Sequence, residues 1–318
     1  MRCPKCQFDH PLQTTECLKC GIVFSRYQAA LESAANQPVL PVPVVEPAHE
    51  SPSASLTDRN DALRELKYRA LALPVALLVA RWAVGTGLRL VAGMLAMVVH
   101  ESGHAVTAWL TGRWAIPTFW VTMHGEDRSW FIVMILTAAI AFGGYLAWRA
   151  ERWGWVAAAA AVFLLQLSLL SLPAFTQGAL IVFGGDGGAL VLATILMAMF
   201  YAPRGSAIYE NQGLRWGLLV IGALAFMDVF RLWSGPYENI PFGEIEGVNL
   251  SDPSVLTEKY GWSVIQLVDR YLLLAKVCFV ALFAVYVWGL VSAYLELRSA
   301  SPREKKAQAG RLPRSAES

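Results

Sequence analysis

His100 and His104 stand four positions apart in the run His100-Glu101-Ser102-Gly103-His104. On an α-helix that spacing puts both imidazoles on one face, one turn apart, so each can offer a ring nitrogen to the same metal ion. Glu101 beside them can contact a metal-bound water rather than the metal itself. Zinc lowers the pKa of such a water toward neutrality, and a glutamate accepts its proton as the water attacks a peptide carbonyl. The same glutamate can then hand a proton to the leaving amine.

The surroundings sharpen the signal. Gly93-Met94-Leu95-Ala96-Met97-Val98-Val99 precedes the motif and Ala105-Val106-Thr107-Ala108-Trp109-Leu110 follows it. Ionisable groups inside such an apolar helix are functional candidates by default. Small Ser102 and Gly103 let another helix or a substrate approach closely. A catalytic zinc takes a third protein ligand, leaving one position for water. Asp186, in Phe183-Gly184-Gly185-Asp186-Gly187-Gly188, is the first candidate, because four glycines surround one carboxylate within an apolar segment. Asp228, in Phe226-Met227-Asp228-Val229-Phe230-Arg231, is a second, with an i, i+3 ion pair to Arg231 as its simpler role. His124 and Glu126, in a loop between apolar segments, complete the alternatives. Gln166, Ser168 and Ser171 read as interhelical hydrogen-bonding groups, and Cys278 as a small packed apolar residue.

Another cluster opens the chain: Cys3-Pro4-Lys5-Cys6, then Cys17-Leu18-Lys19-Cys20-Gly21. Two C-x-x-C pairs at this separation signal a structural zinc site. So small a module lacks a core, and metal binding must supply much of its folding energy. Thiolate ligands favour a reducing compartment. A disulfide-bonded module is the alternative.

Two family resemblances follow from these residues. The first cluster resembles a zinc ribbon, over about 25 residues by its span in the chain. The run His100-Glu101-Ser102-Gly103-His104-Ala105-Val106, with the later Asp186-Gly187-Gly188, resembles the site-2 protease family of intramembrane zinc metalloproteases. That resemblance spans residues 88–200 and implies zinc held by His100, His104 and Asp186, with Glu101 as general base. Gly185 stands where that family's L-D-G motif has leucine. The family's two motif helices run parallel, whereas the segments counted here make helices 88–111 and 178–200 antiparallel and would put Asp228 on a parallel one.

These groups must be positioned by long apolar elements. Of the 318 residues 56% are hydrophobic and 16% charged, a membrane-protein balance, and the net charge of +2 gives no case for nucleic-acid binding. The expected fold is an all-α polytopic membrane protein with a small N-terminal zinc ribbon. Apolar segments at 88–111, 129–148, 154–173, 178–200, 216–233 and 271–295 are each long enough, at 1.5 Å per residue, to cross about 30 Å of hydrocarbon or nearly so. Trp130, Trp148, Trp155, Trp216, Trp233 and Trp288 fall near their ends, as an interfacial belt would. A weaker segment, 70–87, holds Pro74 and Arg81 and is expected to be re-entrant or interfacial.

With six crossings and a cytosolic N-terminus, the basic loops and the basic tail all fall inside, and the acidic loop 234–270 falls outside. The domains expected are a ribbon at 1–36, an extended Pro-rich linker at 37–60, a transmembrane metalloprotease domain at 61–298 and a basic cytosolic tail at 299–318. No cleavable signal peptide and no internal repeat are expected. Expected partners are the lipid bilayer, a membrane-associated protein or peptide substrate, and a cytosolic partner of the ribbon. Two zinc ions are expected, one catalytic and one structural. The competing reading is a non-catalytic membrane adaptor or sensor that uses only the ribbon, and it expects one zinc.

Overall fold

The computed structural model describes residues 2–9, 14–35, 52–246 and 249–309. It divides into two units, Met1–Ser51 and Pro52–Ser318. The first contains two tight turns that repeat one another, and a helix α1 (Phe24–Ala35). In the first turn the Gln7 N–H donates to the Cys3 carbonyl, and in the second the Gly21 N–H donates to Cys17. Gln7 and Gly21 both adopt positive φ, 59° and 68°, so the chain doubles back beside each cysteine pair. The rest of the expected linker, 37–51, lies outside the described residues.

The second unit is a helical bundle. Its elements are α2 (Pro52–Ala83), α3 (Arg89–Leu110), a hairpin β1 (Ala115–Pro117) and β2 (Thr122–His124), α4 (Trp130–Arg149), α5 (Trp153–Leu170), α6 (Ala174–Ala198), a short α7 (Ala207–Glu210), α8 (Gln212–Ser234), a small ribbon β3 (Ile245–Glu246) and β4 (Asn249–Leu250), α9 (Asp252–Glu258) and α10 (Val264–Ala309). Among the described residues, five helical stretches are long and apolar enough to cross a membrane: Trp130–Arg149, Trp153–Leu170, Ala174–Tyr201, Gln212–Ser234 and Val264–Ser299. The expected span at 88–111 is present as α3 but is not among the five. Pro52–Asn60, expected to be extended linker, forms the first turns of α2, and residues 299–309 of the expected tail continue α10. Residues 310–318 lie outside the described residues.

A core of small and aromatic side chains joins α2, α3, α6, α8 and α10. The α3–α6 crossing is closest. A Cβ on Gly103 would lie 2.2 Å from the Gly184 carbonyl oxygen, and one on Gly188 would lie 2.6 Å from the Gly103 Cα. Only glycine permits this approach, the small-residue packing used by helices that lack a hydrophobic drive between them. His100 meets Asp186, whereas His104, further along α3, meets Ile181, earlier on α6. The two helices therefore run antiparallel, as the intervening α4 and α5 require. By contrast, α4 buries only Val133 and α5 only Gln166. Their outward side chains, including Phe131, Ile135, Phe142, Leu164 and Leu165, are apolar, which suits lipid rather than water.

One end of the bundle is locked by charge. Glu65 of α2 accepts from both terminal nitrogens of Arg215, at 2.6 and 3.1 Å, and from Arg69 at 2.7 Å. Arg69 also donates to the Ala202 carbonyl and to Ser292. The middle of α2, the α6–α8 connection and the second half of α10 therefore meet here. α2 continues unbroken through Pro74.

Candidate metal centres

In the first unit the four cysteine sulfurs converge. Cys3 and Cys20 Sγ are 3.8 Å apart, and Cys6 and Cys17 Sγ are 3.5 Å apart. A tetrahedral zinc with bonds of about 2.3 Å separates its sulfurs by about 3.8 Å, far more than the roughly 2 Å of a disulfide. None of the four cysteines is in a disulfide, and the cluster can hold a metal ion. Burial works against the Cys17 thiolate, but hydrogen bonds from Cys20 and from the backbone of Lys19 outweigh it and bring its pKa down to about 6. A thiolate is the ligand form a metal needs.

In the bundle, the two motif histidines meet a carboxylate that the sequence did not single out. Asp252 Oδ2 lies 3.0 Å from His104 Nε2 and 3.3 Å from His100 Nε2, and the two Nε2 atoms are 3.1 Å apart. His104 Nδ1 is 2.7 Å from the Ile181 carbonyl, which can only accept, so Nδ1 carries the proton. His100 Nδ1 faces Asp186 Oδ1 at 3.0 Å and donates in the same way. With both rings neutral, the two Nε2 atoms present lone pairs to each other and to a carboxylate oxygen, and a cation between the three atoms relieves their repulsion.

Other observations fit a metal ion. Asp252 Oδ2 is buried and makes no hydrogen bond. A tetrahedral ion with bonds of about 2.0–2.1 Å spaces its ligands by about 3.3 Å, close to the separations seen. Gly185 supplies the room: a Cβ there would lie 2.5 Å from both Asp252 Oδ2 and His104 Nε2. His100, His104 and Asp252 together can hold a metal ion.

Asp252 reaches the site on a loop that folds back over the bundle. Ser251, just before it, is buried and donates to the Pro241 carbonyl. Ser254 accepts from the Gly243 N–H at 2.7 Å and lies 3.0 Å from the Ser251 hydroxyl. Pro253 suits the first turn of α9. These bonds fix the start of α9, and with it the carboxylate.

The other expected site residues fall as follows. Asp186 lies behind His100, not among the converging Nε2 atoms, and its second oxygen accepts from Trp233 Nε1 at 2.7 Å. Trp233 is buried, not interfacial as its place near a segment end implied. It stacks on Tyr271 at 4.1 Å, and Tyr271 stacks on Phe183 at 4.4 Å. The expected pair of Asp228 with Arg231 is not found among the described ion pairs; Arg231 donates to the Val84 carbonyl instead. Glu101 is buried, and Thr122 Oγ1 of β2 sits 2.7 Å from its Oε2. Gln166 bonds across to Thr137 of α4, whereas Ser168 and Ser171 bond within their own segment.

No protein family, curated protein or solved structure matches the chain. The chemistry must be read from the geometry. His100, Glu101, His104 and Asp252 line one cavity of about 840 Å³, with His124, Glu126, Arg113, Glu258 and Lys259 among its other walls. Burial pushes the His124 imidazole below its ordinary value, and the charge of Arg113 acts in the same direction. His124 faces the cavity but stands outside the converging set.

Proposed function

We propose that this chain is a membrane-embedded zinc metalloprotease, similar in its motif to the site-2 proteases, that hydrolyses peptide bonds of membrane-associated substrates. The observation that carries the reading is the convergence of His100 Nε2, His104 Nε2 and Asp252 Oδ2 above Gly185, with Glu101 on the same wall of the cavity. In this reading His100, His104 and Asp252 hold the zinc. Bound there, zinc supplies Lewis acidity and an acidified water. Asp186 does not ligate. It accepts the His100 Nδ1 proton and so turns the ring's other nitrogen inward, the second-layer role common at metal-bound histidines.

Glu101 is the general base. Thr122 holds one of its carboxylate oxygens, leaving the other to accept a water proton and then deliver it to the departing amine. The hairpin β1–β2 thus serves the chemistry by orienting the base. A substrate helix must unwind before cleavage, because its scissile carbonyl is otherwise hydrogen-bonded and shielded. The N-terminal cysteines hold a second, structural zinc. The charge-locked end, with Arg204, Arg215 and the basic tail beyond α10, lies on the cytosolic side, and the loop carrying Asp252 caps the opposite end.

Glu101→Gln in the purified full chain is expected to retain its metal and to lose cleavage of a membrane-anchored test substrate by about 10²-fold or more. Cleavage at the wild-type rate by that variant would refute the proposal.

A further inference from the structure

Arg113 is 8% exposed and has no carboxylate partner among the described residues. Its placement is built in. At the end of α3 the Gly112 N–H donates to the Trp109 carbonyl and the Arg113 N–H to the Ala108 carbonyl. Gly112 has φ of 79°, completing a glycine-terminated helix end that throws the chain back toward the bundle. A side chain at 112 would lie 2.6 Å from Val133, so this turn admits only glycine.

The guanidinium is left underused by the protein. One terminal nitrogen donates to the Ala174 carbonyl at 3.3 Å, while Nε is buried and makes no hydrogen bond. Glu126 and Glu258 line the same cavity, yet neither pairs with it among the described residues. A buried cation without a counter-ion is costly, and no other feature of the fold accounts for this one. It lines the cavity that contains His100, His104, Asp252 and Glu101. Planar, fork-shaped and always charged, it matches a carboxylate.

We infer that Arg113 binds a carboxylate of the peptide substrate and so makes the protein selective for peptides carrying one near the scissile bond. The inference rests on the metalloprotease reading. Two sources offer the same chemistry: an acidic side chain, or the free C-terminus of the peptide. Arg113 is a specificity residue here; it does not touch the metal-ligating atoms.

The test uses the full chain, zinc-loaded, in detergent micelles, and four short peptides each bearing an N-terminal succinyl hydroxamate to grip the metal. They differ in having Glu or Gln within the peptide and a free or amidated C-terminus. Affinities are read by calorimetry. At least one carboxylate probe is expected to bind about tenfold or more tightly than the neutral Gln amide, as a charge-assisted contact allows. Which probe it is identifies the source. Arg113→Gln is expected to bring the advantage within about twofold while the neutral probe binds as before, and Arg113→Lys to retain part of it.

A guanidinium that merely braced the turn would leave the ratio of affinities unchanged. Equal binding of charged and neutral probes to the wild type overturns the inference and leaves the metal reading standing. So does an advantage that survives Arg113→Gln. If none of the four probes binds, the metal reading fails and the inference falls with it.

Discussion

The absence of a side chain at Gly185 is a condition of the site. The space a Cβ would fill is where the Asp252 carboxylate and the His104 ring nitrogen meet. The motif His100-Glu101-Ser102-Gly103-His104 was fully legible from spacing, because its geometry is local to one helix. Asp252 was not. In sequence it is one acid among several in a polar loop, and only the fold-back of that loop brings it to the histidines. Asp186 was singled out as a ligand because it is a carboxylate in an apolar glycine-rich segment, but its oxygens meet His100 Nδ1 and Trp233 Nε1. If Asp186 orients His100, Asp186→Asn should weaken zinc binding by about 10–100-fold without abolishing it, measured by competition with a chelator in a chain whose four ribbon cysteines are serine. Unchanged affinity would remove Asp186 from any role at the metal; complete loss would mark it as a ligand.

The helices carry the site by close approach. Gly103, Gly184 and Gly188 bring α3 and α6 together, and that contact sets the depth at which His100 faces Asp186. The sequence pointed to Gly103 as a packing position, and its long apolar runs located α3, α4, α5, α6, α8 and the apolar middle of α10. It was less clear on α2. Proline and arginine made 70–87 look weak, yet α2 is continuous through Pro74, and the Ala70 carbonyl that the proline frees accepts from the Tyr286 hydroxyl at 3.1 Å. Proline is tolerated where neighbours satisfy the freed backbone. Glu65 is the centre of the charged lock on the same helix. Glu65→Ala leaves Arg215, 1% exposed, without its counter-ion and should cost about 3–5 kcal/mol of stability in denaturant unfolding from micelles. A loss near zero would mean that Arg215 reaches water or another acceptor.

At the scale of the whole chain, two side-chain clusters of different character that can hold a metal ion lie in two separate units. The four-cysteine cluster is closed, with every ligand position taken by sulfur. The bundle centre offers three protein donors beside a cavity, the open arrangement that hydrolysis requires. Composition alone was enough to indicate a membrane protein, and the five apolar helices agree with it. The count of zinc ions separates a protease from a ribbon-bearing membrane adaptor. The most direct test is therefore metal analysis of the purified full chain with Cys3, Cys6, Cys17 and Cys20 replaced by serine, alone and combined with Asp252→Ala. One zinc per chain is expected in the first protein and close to none in the second. A cysteine-free chain that holds no zinc, or one that keeps its zinc when Asp252 is removed, would contradict the site described.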